Sequence, residues 1–60
     1  MEIGDRVIYI GERQRFSPSP GDELEVLAVE NSMLILGSLD SMFGWTPETN
    51  VQLKNKKEIQ

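Results

Sequence analysis

Residues 21–37 decide the fold of this chain and read Gly21-Asp22-Glu23-Leu24-Glu25-Val26-Leu27-Ala28-Val29-Glu30-Asn31-Ser32-Met33-Leu34-Ile35-Leu36-Gly37. Two runs rich in aliphatic residues flank Asn31-Ser32, and asparagine tolerates the positive φ that a tight hairpin turn requires. The stretch therefore predicts an antiparallel hairpin with strands at 23–30 and 33–37.

The first of these strands changes its hydrophobic phase halfway along. Leu24 and Val26 alternate with glutamates, but Leu27 and Val29 continue the apolar set one residue out of step. One extra residue in a strand, a β-bulge, restores the phase by letting two residues face one on the partner strand. We therefore expect a bulge near Val26-Leu27, with all four apolar side chains mostly buried.

Turn signals cut the rest of the chain into short segments of the kind found in small all-β proteins. We expect further strands at 5–10, 42–46 and 51–53, and no long helix. The loop Glu12–Gly21 contains Pro18 and Pro20, which fix φ and make it stiff. Thr46-Pro47-Glu48-Thr49 predicts one 3₁₀ turn, with Thr46 as its cap and Pro47 at its first position.

Length and composition exclude several classes of protein. The chain has 60 residues, which is one domain, and contains no cysteine and no histidine, so neither a disulfide nor a zinc site built on those ligands can form. Unbroken apolar runs are too short for a transmembrane helix, and the first residues do not resemble a signal peptide. We expect a cytoplasmic protein that does not bind membranes.

The net charge is −4, and the acids are concentrated in the middle of the chain. Residues 22–50 contain six acids and neither Lys nor Arg. A protein that binds nucleic acid without regard to sequence needs a basic face, which only the arginines of residues 1–21 and the lysines near the C-terminus could supply. Nucleic-acid binding is therefore the less favoured function.

Two segments resemble known small barrels. Gly44-Trp45-Thr46-Pro47-Glu48-Thr49-Asn50-Val51-Gln52-Leu53 is similar to the closing segment of SH3 domains, in which a 3₁₀ turn leads into the last strand. Gly4-Asp5-Arg6-Val7-Ile8-Tyr9-Ile10-Gly11 looks like the opening of KOW and Tudor-type barrels, and of small SH3-like proteins from bacteria and phages. The resemblance implies an all-β, five-stranded SH3-like barrel over residues 1–53, with one 3₁₀ turn before the last strand. Residues 54–60 are expected to form a polar, frayed tail.

No constellation of residues indicates catalysis. Without histidine or cysteine, acid–base chemistry would fall to carboxylates, lysine or tyrosine. Glu23 and Glu25 share a strand face, which is more typical of a solvated surface than of a catalytic pair or a cation site. We expect no enzymatic activity, no catalytic residue, no cofactor and no metal.

The candidate site is a partner-binding surface where the long loop meets the 3₁₀ turn. Aromatic and arginine side chains dominate protein interfaces, and a loop stiffened by prolines loses little entropy on binding. Trp45 could equally be a core residue that shares a strand face with Phe43. The predicted binding residues are Arg13, Arg15, Phe16, Pro18, Trp45, Pro47 and Glu48.

Three functions remain open. The favoured one is a small protein-binding module that acts as a stand-alone accessory or regulatory factor, with an unidentified protein as its partner. The second is a nucleic-acid-associated barrel of KOW or Tudor type that uses Arg13, Arg15, Phe16 and the C-terminal lysines. The third, based on resemblance, is a structural component of a larger assembly such as a phage particle. The sequence does not indicate an oligomeric state.

Overall fold

The computed structural model describes residues 1–55, which form one antiparallel sheet and a single 3₁₀ turn. The strands are β1 (Arg6–Tyr9), β2 (Glu23–Glu30), β3 (Met33–Gly37), β4 (Met42–Pro47) and β5 (Val51–Asn55), and the 3₁₀ turn is Glu48–Asn50. The all-β class is confirmed. No helix in this part of the chain is long and apolar enough to cross a bilayer.

The five strands are hydrogen-bonded in the order β4-β3-β2-β1-β5. This order is compatible with an SH3-like fold. Within residues 1–55, however, no ladder joins β4 to β5, so hydrogen bonds do not close the sheet into the predicted barrel. The two outermost strands therefore each leave one edge without a neighbouring strand.

One face of the sheet forms the core. Its buried side chains come from four strands, because alternate residues of each strand point to the same side. They are Val7, Tyr9, Leu24, Val26, Leu34, Leu36 and Val51, and the partly buried Phe43 packs against them. We call this side of the sheet the inner face, and the opposite side the outer face.

The predicted β2–β3 hairpin is confirmed. Asn31 and Ser32 both adopt positive φ, 48° and 66°, and Glu30 pairs with Met33 across the turn. Two residues with positive φ give the turn a twist that matches the twist of the strands.

The bulge in β2 lies where the sequence predicts it, but its effect on burial differs from the prediction. The register shifts between Val26 and Ala28, which leaves Leu27 as the extra residue. Leu24 and Val26 are buried, whereas Leu27 and Val29 are exposed. The expectation that all four are buried is wrong. The bulge turns Leu27 outward, and Val29 lies beyond the part of β2 that pairs with β1, which is Glu23–Glu25.

Two predictions about the end of the chain are also corrected. The 3₁₀ turn starts at Glu48, and Pro47 takes the cap position. Thr46 is no cap, since its Oγ1 donates to the Gly44 carbonyl at 3.1 Å. Lys54 and Asn55, predicted to belong to a frayed tail, extend β5 by two residues; the remainder of that tail, 56–60, lies outside the described residues.

Candidate functional site

The long loop between β1 and β2 is anchored at its base. Tyr9 donates its backbone N–H to the Asp22 carbonyl at 2.9 Å and accepts from the Gly21 N–H at 2.8 Å. A turn from Ser19 to Asp22 precedes the second strand, closed by the Asp22 N–H donating to the Ser19 carbonyl at 3.0 Å. Gly21 has a φ of 95°, which the third position of such a turn requires and which glycine adopts without strain.

The tip of the loop is a second turn, from Gln14 to Ser17. The Gln14 N–H donates to Ser17 Oγ at 2.8 Å, and the Ser17 N–H donates to the Gln14 carbonyl at 3.4 Å. Arg15 and Phe16 occupy the two central positions, with the guanidinium carbon 5.6 Å from the ring centroid, a cation–π distance. The Phe16 side chain is 84 % exposed, so the turn presents a ring and a positive charge to solvent.

The start of the loop is tied to the 3₁₀ turn. The backbone N–H groups of Ile10 and Gly11 both donate to the Asn50 carbonyl, at 2.8 and 3.1 Å. The hydroxyl of Tyr9 donates to the Glu12 carbonyl at 2.7 Å. The core and the 3₁₀ turn thus both determine where the loop lies.

A groove of about 360 Å³ runs between the loop tip and the segment that leads from β4 into the 3₁₀ turn. Four of the seven predicted binding residues line it: Arg15, Phe16, Trp45 and Pro47. The groove is completed by Tyr9, Gln14, Ser17, Gly44, Thr46 and Asn50. Aromatic rings therefore stand on both walls, with backbone and small polar groups between them.

The other three predicted residues do not line this groove. Arg13 is exposed, and Glu48 is half-buried in the 3₁₀ turn. Pro18 is less than 2 % exposed, so it cannot present a surface to a partner and is removed from the candidate site.

Trp45 is a surface residue, which decides between the two possibilities that the sequence leaves open. Leu36 faces Phe43 and Leu34 faces Thr46, so β4 has one more residue than β3 between these pairs. This second bulge separates Trp45 from the face of Phe43 and leaves its side chain 48 % exposed.

Sequence reasoning missed the contributions of Tyr9 and Asn50 to the groove. The strand pattern places the Tyr9 ring in the core, and only the folded loop shows that the same residue also reaches the groove. The role of Asn50 depends on its backbone carbonyl, which no side-chain pattern reveals.

The two salt bridges between described residues both involve Glu23. Glu23 forms salt bridges with Lys54 and with Arg6, the latter at 3.6 Å. The hydrogen bond and charge of Lys54 hold the pKa of Glu23 below its ordinary value. Within residues 1–55 there are no other salt bridges, so neither Arg13 nor Arg15 forms a salt bridge with a residue of that range.

Comparison of the chain with models of protein families, with curated proteins and with solved structures finds no match. The candidate site therefore depends on the residues and the geometry described above.

Proposed function

We propose that this protein is a small non-enzymatic module that binds another protein through the groove between the loop tip and the 3₁₀ turn, and that it acts as a stand-alone accessory or regulatory factor. The observation that carries the proposal is the placement of Phe16 and Trp45, two exposed aromatic residues from distant parts of the chain, on the same groove. Large aromatic side chains contribute strongly to protein interfaces because they bury much area at low entropic cost.

The loop that carries Phe16 is arranged so that binding orders little of it. Its base, its start and its tip are each held by hydrogen bonds, and Pro18 within it is buried. A preorganised loop retains affinity that a flexible loop would lose to ordering. We further propose that the sheet is an SH3-like barrel and that the groove is its partner surface.

A nucleic-acid-associated barrel is the second candidate. The observation in its favour is Arg15 above the exposed Phe16 ring, because arginine and aromatic rings together bind unpaired bases. Two other bases, Arg6 and Lys54, are already paired with Glu23 and add little positive potential. Binding to single-stranded DNA or RNA that weakens steeply as salt increases would favour this candidate over the first.

Comparative capture of partners tests the protein-binding function. The tagged wild-type protein and its Phe16→Ala variant are used to recover proteins from extracts of the native host, which are quantified by mass spectrometry. Leu39→Ala is the matched control, since Leu39 is a fully exposed apolar residue in the β3–β4 loop that does not line the groove.

The proposal predicts a protein that wild type and Leu39→Ala recover equally and that Phe16→Ala recovers at least about fivefold less. Equal recovery by all three proteins would contradict the assignment of the groove. If the purified chain formed a uniform large oligomer in solution, a role as a structural component of an assembly would be favoured instead.

A further inference from the structure

The outer face of β2, β3 and β4 carries a second apolar surface. In β3 the residues that alternate with buried Leu34 and Leu36 point to the outer face. The residues of β2 and β4 that pair with these outward residues point the same way. We define the outer patch as Leu27, Ala28, Met33, Ile35, Met42 and Trp45.

The bulges of β2 and β4 bring Leu27 and Trp45 to this face. Leu27 is the extra residue of β2 and is 40 % exposed. Its side chain lies over Gly37, where a Cβ would come within 2.5 Å of Leu27 Cδ1. Met42, which pairs with Gly37, is 74 % exposed. Large apolar groups that are contiguous and exposed indicate an interaction site, whereas isolated ones do not.

A cleft of about 330 Å³ lies at one end of the outer patch and is lined by Glu30, Asn31, Met33 and Trp45. It places a carboxylate, an amide and a thioether beside an indole ring. A lysine or arginine side chain suits these groups, because its charge interacts with the carboxylate and with the ring face, and its methylenes pack on apolar atoms.

Acids lie at both ends of the outer patch. Glu30 stands at the hairpin end, and Asp40 stands in the β3–β4 loop at the opposite end. Glu25, on β2, faces Gly37 on one side and Arg6 of β1 on the other. Arg15 of the long loop lines a pocket with Met42, so the acid with no base placed beside it is Glu30, at the cleft. No Lys or Arg occurs between residues 22 and 50, so none of these strands supplies a compensating charge.

We propose that the outer patch docks a segment of a partner protein that carries apolar side chains with lysine or arginine beside them, and that one basic side chain enters the cleft between Glu30 and Trp45. The apolar surface provides the area, and Glu30 at the cleft selects the basic side chain. The patch adjoins the groove, since the two share Trp45 and Met42 lines a pocket with Phe16. The cleft at Glu30 lies outside the groove, so the inference goes beyond the proposed function.

The same charges disfavour a second copy of this chain as the occupant. A symmetric dimer through the outer patch would bring the acids of both copies into one interface, where like charges cost free energy. Dimerisation is therefore an outcome that would contradict the proposal.

Short synthetic peptides of defined composition test the proposal directly. The first alternates leucine with lysine, the second alternates leucine with glutamate, and the third alternates serine with lysine. Trp45 is the only tryptophan of the chain, so its fluorescence reports binding. The leucine–lysine peptide is expected to bind at least about tenfold more tightly than either of the others.

Substitutions then locate the binding. Met42→Ser and Leu27→Asn should each weaken the leucine–lysine peptide about fivefold or more, whereas Ile10→Ser, which removes an exposed apolar side chain elsewhere, should not. Glu30→Lys should weaken this peptide and strengthen the leucine–glutamate peptide. Glu12→Lys makes the same change of net charge in the long loop and should do neither.

Four results would overturn the proposal. If the serine–lysine peptide bound as tightly as the leucine–lysine peptide, net charge alone would explain the binding. Equal effects of Glu30→Lys and Glu12→Lys would lead to the same conclusion. Loss of binding in Phe16→Ala alone would place the peptide in the groove. A dimer in solution that Met42→Ser dissociates would show that the patch pairs with itself. The groove is tested with Phe16→Ala and a native partner, so either assignment can fail without the other.

Discussion

Gly11→Ala tests how the core determines the position of the loop. A Cβ at residue 11 would lie 2.7 Å from Tyr9 Oη, 2.9 Å from Tyr9 Cζ and 3.0 Å from Asn50 Cγ. Ordinary contacts between such atoms are about 3.5–4.0 Å, so the added methyl would lie nearly an ångström too close to its neighbours. The Tyr9 ring cannot move aside easily, because it is buried and its hydroxyl is bonded to Glu12.

The expected loss in the free energy of unfolding is about 1–3 kcal/mol, the usual cost of adding a methyl group to a packed site. For a domain of this size, each kcal/mol lowers the melting temperature by roughly 4–8 °C. Tyr9→Phe alone should cost about 1 kcal/mol, for the lost hydrogen bond to Glu12. In that background Gly11→Ala should cost less, since the closest clashing atom is gone.

Urea denaturation of wild type, both single variants and the double variant measures this coupling as a double-mutant cycle. The close contact predicts that the double variant loses about 0.5–1 kcal/mol less free energy of unfolding than the sum of the two single losses. Strict additivity, or a Gly11→Ala variant as stable as wild type, would refute the packing of the Tyr9 ring against the loop.

Three further predictions concern stability. Val7→Ala should cost about 1–3 kcal/mol because Val7 is fully buried, whereas Phe16→Ala should change stability by less than about 0.5 kcal/mol; equal losses in denaturation would place Phe16 in the core. Ser32→Gly should raise the melting temperature, since glycine relieves the strain of a φ of 66° by about 0.5–1 kcal/mol; a lower melting temperature would exclude that strain. Lys54 holds the pKa of Glu23 below its ordinary value of 4.5, so this ion pair stabilises the fold above that pH, and its contribution disappears as the pH falls through the lowered pKa. Glu23→Gln should therefore make stability less sensitive to acid in denaturation curves measured across this range, and an unchanged dependence would exclude the pair as a source of stability.

The sequence is sufficient to predict most of the sheet because its strands follow simple local rules. Asn31-Ser32 predicts the hairpin, and the aliphatic runs on either side predict strands whose bounds the structure confirms. The phase slip at Leu27 also predicts the position of the first bulge. It does not predict which side of the sheet the extra residue faces, because that depends on the space over Gly37 on the neighbouring strand.

The second bulge illustrates what single-strand patterns miss. A regular strand would put Phe43 and Trp45 on one face, and only the pairing of β4 with β3 reveals the extra residue between them. Gly44 is the available signal, since a glycine within a strand often marks a bulge. Pro18 shows a similar limit, because a proline in a polar loop gives no indication that tertiary packing buries it.

Amide chemical shifts test whether a protein partner docks in the groove between the loop tip and the 3₁₀ turn. The partner identified by comparative capture is titrated into isotopically labelled protein, and the shift of each backbone amide is followed by NMR. Docking in the groove predicts that the largest shifts fall within residues 14–17 and 44–50. It also predicts that Phe16→Ala weakens binding in the titration about tenfold without changing the spectrum of β1. Shifts confined to β1 and β5, or a titration that Phe16→Ala leaves unchanged, would contradict it.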